Sequence, residues 1–382
     1  MSVYLPFLQN KNVAVFANQT SIVGNQTLID TLIKLGISIK VIFSPEHGFR
    51  GDAGAGDVVK DNTDNRTGIK VVSLYGAKTK PSSEDLKNID VMLFDIQDVG
   101  VRFYTFISSL QLYMEAAFEN SIPLIILDRP NPNGFYVDGP VLDTNFRSFV
   151  GMQPVPVVYG MTIGEYAFMI AGERWLSSKK ANDKYDFYRT AKQTPDTPLH
   201  FTVIKCLNYT HQSKYVLPVK PSPNLPFMGS VYCYPSICLF EGTVISEGRG
   251  TDHPFEIFGH PSFAFSKDLF SFIPHSNEGA KDPKFKDQVC YGWNISSKNI
   301  SSFDVKWLLM AYKLFPDKNN FFLKPENKDP QPEDYFFNKL AGNAELMQQI
   351  IAGRSADEIR KSWQPKLEAF KKIRKKYLLY KE

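Results

Sequence analysis

The chain has little cysteine: four residues in 382, at positions 206, 233, 238 and 290, with no CxxC spacing. That excludes a disulfide-built scaffold, a thioredoxin-type redox pair and a cysteine zinc site. Cys233 and Cys238, five apart in an apolar stretch, read as buried thiols, with a bridge between them left open. No apolar run approaches the roughly 20 residues of a membrane-spanning helix. The N-terminus lacks a basic-then-apolar pattern, so the sequence as given reads as carrying no signal peptide. The first apolar run leads into "ANQTSIVG" without GxGxxG, which argues against a dinucleotide site. "GDAGAGD" is glycine-rich, but Asp52 and Asp57 would repel phosphate and the P-loop lysine is missing. There is no GxSxG nucleophile elbow, and the six histidines show no HExxH or HxxxH spacing.

Charge excess is also missing where it would matter. The formal net charge is +4, but residues 361–382 alone carry +6, which leaves −2 for the rest. A basic tail on a nearly neutral body is not the footprint of a nucleic-acid binder. The tail, "LEAFKKIRKKYLLY", reads as a final amphipathic helix with a solvated basic face and no stable insertion into a membrane.

At this length two domains are expected. Hydrophobic content of 43% and charged content of 22% are those of an ordinary globular protein. Thirty Phe and eighteen Tyr suit both core packing and stacking on sugar faces. Apolar runs rich in Val, Ile and Phe recur at Asn12–Ala17, Ser38–Phe43, Lys70–Leu74, Asp90–Phe94, Pro123–Leu127 and Val155–Val158. Strands apolar on both faces, alternating with amphipathic spacers, predict a mainly parallel sheet covered by helices, an α/β fold. "TLIDTLIKLG" predicts a helix stopping at Gly36, and "MTIGEYAFMIAGERWL" one capped by Thr162. "SSLQLYMEAAFENS" has the same 3-4 spacing. "SSKKANDKYD" reads as a polar loop and "FTVIKCLNYT" as a further strand. The proline-rich "LPVKPSPNLPF" marks a boundary, giving domains 1–227 and 228–382. The second is expected to be a smaller α+β unit with "SICLFEG" as a strand and helices from about Ser302.

In open α/β sheets ligands bind beyond the carboxyl ends of the strands. Each run here is followed by polar residues: Asn18 and Gln19, then Glu46 and His47 in "FSPEHGFRGDAGAG", then "DIQDVGVRFYT", then "LDRPNPNG". Asp95, Gln97, Asp98, Arg102, Asp128, Arg129 and Asn131 are therefore expected to join Glu46 on one rim. Each taken alone is as readable as a cap or turn; their repetition points to a site. Carboxylates, amides, arginines and aromatics suit an anionic, polyhydroxylated substrate and acid/base chemistry. A metal site assembled from Glu46, His47, Asp95 and Asp98 is the rival, and a sugar-binding module without turnover is a second.

The strings "ANQTS", "FSPEHGFRGDAGAGD", "SLYG", "FDIQDVGVRFYT", "LDRPNPNG", "VDGPVL", "YGMTIGE", "PSPNLP" and "CLFEGTVISEGRGTD" occur in that order. Over nearly its whole length the chain resembles the bacterial exo-β-N-acetylmuramidases, glycoside hydrolases of peptidoglycan turnover. The resemblance implies a Rossmann-like catalytic domain with a smaller domain beside the cleft. It implies removal of N-acetylmuramic acid from the non-reducing end of muropeptides or wall disaccharides, with no cofactor. It also implies a periplasmic or extracellular site of action. The family's catalytic glutamate, in its "SPEHG" string, falls on Glu46.

Glycoside hydrolysis needs an acid to protonate the leaving oxygen. Glu46, at a strand end, takes that role by resemblance; by residue type alone it is equally a loop-stabilising carboxylate. His47 either tunes Glu46, bonds the sugar or is structural, and Arg50 shapes the surroundings. Asp95 and Asp98 flank Gln97; one of them would be nucleophile, base or holder of the acetamido group, and one a cap for a helix beginning near Val101. Arg102, Arg129 and Arg249 are the candidates for holding the lactyl carboxylate, because a guanidinium pairs with carboxylates in a bidentate way. Tyr104 stacks or packs. Asn18, Gln19, Asn131 and Asn133 bond hydroxyls or make turns. Glu241 and Glu247 close the cleft from the second domain or hold an edge turn.

Overall fold

The computed structural model describes residues 1–46, 48–50, 61–190, 200–263, 269–296 and 302–382. The strands are β1 (Asn12–Ala17), β2 (Ile22–Val23), β3 (Gln26–Thr27), β4 (Ser38–Ser44), β5 (Asn62–Thr63), β6 (Lys70–Ser73), β7 (Val91–Asp95), β8 (Leu124–Leu127) and β9 (Phe201–Ile204), followed by β10 (Ile257–His260), β11 (Phe270–Phe272) and β12 (Cys290–Asn294). Seven form one sheet in the order β5-β6-β4-β1-β7-β8-β9, parallel throughout except for β5 against β6. Its six parallel strands follow the doubly wound 3-2-1-4-5-6 order, whose reversal lies between β1 and β7.

The alternation along each strand explains the layers. Ala14, Phe16, Phe43, Met92, Phe94, Leu124 and Ile126 face one core, whereas Val13, Val15, Ile42, Leu93 and Ile125 face another. In β4 the pairing slips after Val13, so Ile39 and Val41 fall on opposite faces despite their spacing. The first face is covered by α2 (Phe106–Glu119), whose Tyr113 packs edge-on against Phe16 at 5.1 Å, and by α3 (Ile163–Gly172) and α4 (Lys179–Thr190). The second face is covered by α1 (Leu28–Lys34) through Leu28, Ile29 and Leu32. Thr27 caps α1, Gly36 follows it at φ +78°, and Thr162 and Glu165 form a capping box on α3.

Beyond Phe227 come α5 (Met228–Ile237), a three-stranded antiparallel sheet in the order β10-β12-β11, and α6 (Lys306–Leu314), α7 (Phe336–Ala341), α8 (Glu345–Ile351) and α9 (Ala356–Arg374). Helix α9 returns to the first half, where Arg360 and Trp363 bond the carboxylate of Asp138. Four expectations need correction. Val155–Val158 is not a strand of the sheet; it threads the core, and its carbonyls serve Arg102. "SICLFEG" runs through the end of α5 into a 3-10 turn at Cys238–Gly242; a short apolar run carries no period that separates a strand from a buried helix. "SSKKANDKYD" lies largely in α4, because Ala181, Tyr185 and Tyr188 give it one buried face. In the basic tail, Arg374 is buried rather than solvated. All four cysteines are free, and Cys233, Cys238 and Cys290 are buried.

Candidate active site

Ser44 and Ser73 are partners in the β4–β6 register. Two residues beyond each, the chain presents Glu46 and Tyr75, so parallel pairing delivers both side chains to one spot. They border a cavity of about 720 Å³, whose far wall comes from the second half of the chain: Tyr234, Glu241, Glu247, Arg249 and residues 279–284. Phe103, Phe149 and Phe336 line it with apolar surface. A narrower recess of about 50 Å³ adjoins it and also touches Glu46 and Arg249.

Glu46 accepts a hydrogen bond from the Thr105 hydroxyl at 3.4 Å. Tyr75 bonds it as well; burial first, then the charge of Glu46 and this bond, push the Tyr75 hydroxyl well above its ordinary pKa. Thr105 immediately precedes α2. Glu46 is thus gripped from a strand end and a helix start, both parts of the rigid first half.

Across the cavity, Arg249 lies over the Phe255 ring at 5.0 Å and donates from Nη2 to Glu241 at 2.7 Å, with Nε 3.5 Å from Glu247. Its Nη1 is buried and has no hydrogen-bond partner among the described residues. Lys284 donates to three carbonyls and to Glu247 at 3.0 Å. Burial alone would raise the Glu247 pKa, but Lys284 and then Arg249 outweigh it and hold the carboxyl below its usual range. Glu241 is thus paired with Arg249, and Glu247 with Lys284 and Arg249, while Thr105 and Tyr75 are among the groups bonded to Glu46.

The remaining expected site residues stand elsewhere. Asp95 receives Arg129 in a bidentate pair, at 2.6 and 2.8 Å, and is 1% exposed. Asp98 accepts from Gly100 N at 2.6 Å and from the Tyr159 hydroxyl; burial pushes its pKa up to about 6 despite those bonds. It does not cap α2, which starts later, at Phe106. Neither aspartate borders the cavity of Glu46, so the expected catalytic pair at 95 and 98, and a metal cluster built on it, do not assemble there. Arg102 is fully buried; Nη1 and Nη2 donate to the carbonyls of Pro140, Val155 and Leu340, Nε has no partner among the described residues, and the residue borders neither cavity, so it does not face a ligand there. Arg129 is held by Asp95, and Arg50 by Asp64 at 2.7 Å. Asn18 and Asn131 close local turns, and Gln97 bonds the carbonyls of Asp98 and Pro130. Asn133 reaches Val99 and Val231. Asp128 receives Thr162, Gly164 and Tyr380. His47 and the glycine-rich stretch 51–60 lie outside the described residues.

Gln19 and Tyr104 act at one remove. Gln19 donates to the carbonyls of Lys220 and Pro221, and the Tyr104 hydroxyl donates to Pro221 at 2.8 Å. They pin the "PSPNLP" segment, whose Ser222, Asn224 and Leu225 line the small recess. Asn224 in turn bonds Gly279 O, anchoring the loop of the far wall. Sequence reasoning quoted Tyr75 and Thr105 within "SLYG" and "RFYT" but assigned neither a role. The equal spacing of Glu46 and Tyr75 from their strand ends was the available signal.

Two family models, the N- and C-terminal parts of exo-β-N-acetylmuramidase NamZ, match residues 13–229 and 232–380. The chain belongs to the NamZ family. A curated relative, the peptidoglycan β-N-acetylmuramidase NamZ of Bacillus subtilis, is 36% identical over 99% of this chain and 89% of its own length. Two solved structures of DUF1343 family proteins from Bacteroides fragilis superpose on it. One has a TM-score of 0.84 at 41% identity, the other 0.80 at 26%; each match covers 100% of this chain and 97% of that protein. For a NamZ family member, the pairing of Glu46 with an interdomain cavity fits a glycosidase better than a metal hydrolase.

Proposed function

We propose that the protein is an exo-acting β-N-acetylmuramidase that removes N-acetylmuramic acid from the non-reducing end of peptidoglycan fragments, outside the cytoplasm. The observation that carries this reading is that Glu46 and Arg249, whose buried Nη1 has no hydrogen-bond partner among the described residues, border the same cavity of about 720 Å³. The volume is that of a small-ligand site, and the aromatic walls suit sugar faces. Glu46 is the general acid that protonates the leaving glycosidic oxygen. Arg249, fixed by Glu241, Glu247 and the Phe255 ring, offers its guanidinium to the lactyl carboxylate, a charge-assisted bond. Membership of the NamZ family supports the substrate class.

The second half of the reaction needs a nucleophile or a base. Asp95 and Asp98 are tied to Arg129 and Tyr159 behind the cavity. Glu241 and Glu247, on the cavity wall, are committed to Arg249 and Lys284, so the substrate's own 2-acetamido group is the reading the layout favours. A chromogenic β-N-acetylmuramide tests the main reading: it should be cleaved while the β-N-acetylglucosaminide is not. Equal cleavage of both would remove the role of the lactyl carboxylate. For the second half, a thiazoline analogue of the oxazolinium intermediate should inhibit competitively. Absence of inhibition together with a trapped glycosyl ester on the protein would overturn substrate participation.

A further inference from the structure

A second cavity, of about 350 Å³, shares no wall residue with the first. Its walls include Phe135, His211, Lys371, Arg374, Lys375 and Glu382. Lys371, Arg374 and Lys375 are spaced three and four apart at the end of α9, so they share one side of the helix. Arg374 is buried and rigidly placed: Nε and Nη2 donate to Gly160 O at 2.9 and 2.6 Å. A carbonyl does not neutralise a guanidinium. The carboxylate that does is Glu382, bonded to Nη1 at 2.5 Å. The Lys375 side chain makes no hydrogen bond or ion pair among the described residues; only its backbone N–H is bonded, to the carbonyls of Lys371 and Ile373. The Arg374 bond, and more weakly the charges of Arg374, His211 and Lys375, outweigh burial and hold the Glu382 carboxyl below its usual range. The Glu382 side chain is nonetheless 57% exposed. Two buried polar atoms of the same wall, His211 Nδ1 and the Tyr136 hydroxyl, have no partner among the described residues. Such orphans call for an explanation in a folded protein.

We propose that this cavity is a second ligand site, for a carboxylate borne on a small polar body, and that the ligand's carboxylate takes the place Glu382 holds on Arg374. The seat already accepts one carboxylate, and that carboxylate is more than half exposed, so solvent and solutes reach it. Phe135, with the Lys214 ammonium 5.4 Å above its ring, supplies an apolar wall for the body of the ligand. Sugar acids and acylated peptide ends both have this chemistry. The inference does not depend on the catalytic reading, because the two cavities are separate.

The test is calorimetric titration of the full chain with N-acetylmuramic acid, with an N-acetylated dipeptide bearing a free carboxylate, and with neutral N-acetylglucosamine. Glu382 competes for the seat and so weakens apparent affinity by the fraction of time the seat is open. Glu382→Ala should therefore tighten carboxylate binding by roughly five- to tenfold, and Lys375→Glu should weaken it. N-acetylglucosamine should show neither response. Turnover of the chromogenic muramide should be unchanged in both variants. Both residues are exposed, but Glu382→Ala also removes the carboxylate paired with buried Arg374, so a thermal melt establishes that each variant is folded before its binding is compared. A Glu382-dependent response to the sugar acid alone identifies a sugar-borne carboxylate, and one to the dipeptide alone a peptide-borne one. If both variants bind both carboxylates as the parent does, the site does not exist. Loss of muramidase activity in the parent would sink the catalytic reading and leave this one standing.

Discussion

At the tips of β1, β7 and β8, Asn18, Gln97, Asp98, Asn131 and Asn133 are at most 4% exposed and hydrogen-bond one another, neighbouring hydroxyls or nearby backbone. At the tips of β4 and β6, Glu46 and Tyr75 lean over open space. Both regions are polar strand ends of one sheet. The first occupies the point where strand order reverses, the usual seat of a ligand in doubly wound folds. Here that seat is closed by the protein itself: Thr20 Oγ1 accepts from Gln97 N, and Gln19 and Tyr104 bind the "PSPNLP" carbonyls. The web at the reversal point shapes the site; the neighbouring strand ends carry it.

The largest expected effect falls on the open side. Glu46→Gln should lower kcat by about 10²–10⁴-fold, the weight of general acid catalysis. Gln is nearly isosteric and can still accept from Thr105, so the melting temperature should hardly move. A variant retaining more than half of wild-type kcat would make Glu46 no different from the buried web.

Arg102 probes the closed side. In Arg102→Met the carbonyls of Pro140, Val155 and Leu340 lose their donor inside the protein. At about 1 kcal/mol or more for each unsatisfied acceptor, urea unfolding should show a loss of roughly 3 kcal/mol, while kcat/KM per folded molecule stays constant. A stable variant that had lost selectivity for the charged sugar would instead make Arg102 a ligand residue.

Much of this was legible in the chain. The strand runs at Asn12–Ala17 and Ser38–Phe43 (the latter one residue short of the observed strand), the Thr162 cap and the Gly36 stop follow from local chemistry, and so does the layered α/β plan. The position of Glu46 followed from its string. The roles of the other polar tips did not, because a sequence shows which groups a strand end carries but not which of them meet. Asp95 and Arg129 are 34 residues apart and find each other only once β7 and β8 pair. Arg102 meets Leu340 only when the two halves dock. Tyr75 was hidden for the opposite reason: its importance comes from the β4–β6 register, which no motif records.

Asp98 gives the closed web a pH signature. Its folded pKa is raised by burial from 3.8 to about 6. Between those values the folded chain keeps a proton that the unfolded chain releases, so stability falls as pH rises through that window. At 1.36 kcal/mol per unit the loss is at most about 3 kcal/mol. Asp128, also raised to about 6, acts in the same direction. Asp98→Asn keeps acceptors for Gly100 and Tyr159 and should flatten part of the slope in unfolding measured from pH 4 to pH 6.5. An unchanged slope would mean that Asp98 is charged in the folded protein throughout.

The smallest effect is the sharpest test of the open side. Arg249 borders the cavity with one guanidinium nitrogen unpaired, yet Glu241, Glu247 and Phe255 hold it as firmly as any residue of the web. It could therefore be another structural ion pair that happens to face space. Arg249→Lys separates the two. Lysine keeps the charge near Glu241 and Glu247, so a purely structural role would leave selectivity intact. It loses the planar fork, which alone can bind its own glutamates and a ligand carboxylate together. If Arg249 reads the lactyl group, kcat/KM for the muramide should fall about tenfold, equivalent to 1.4 kcal/mol. Binding of a neutral N-acetylglucosamine analogue should be unaltered. Equal losses on both ligands would assign Arg249 to holding the wall in place, and the group that senses the carboxylate would then be sought in the backbone N–H groups of residues 279–282 and 284.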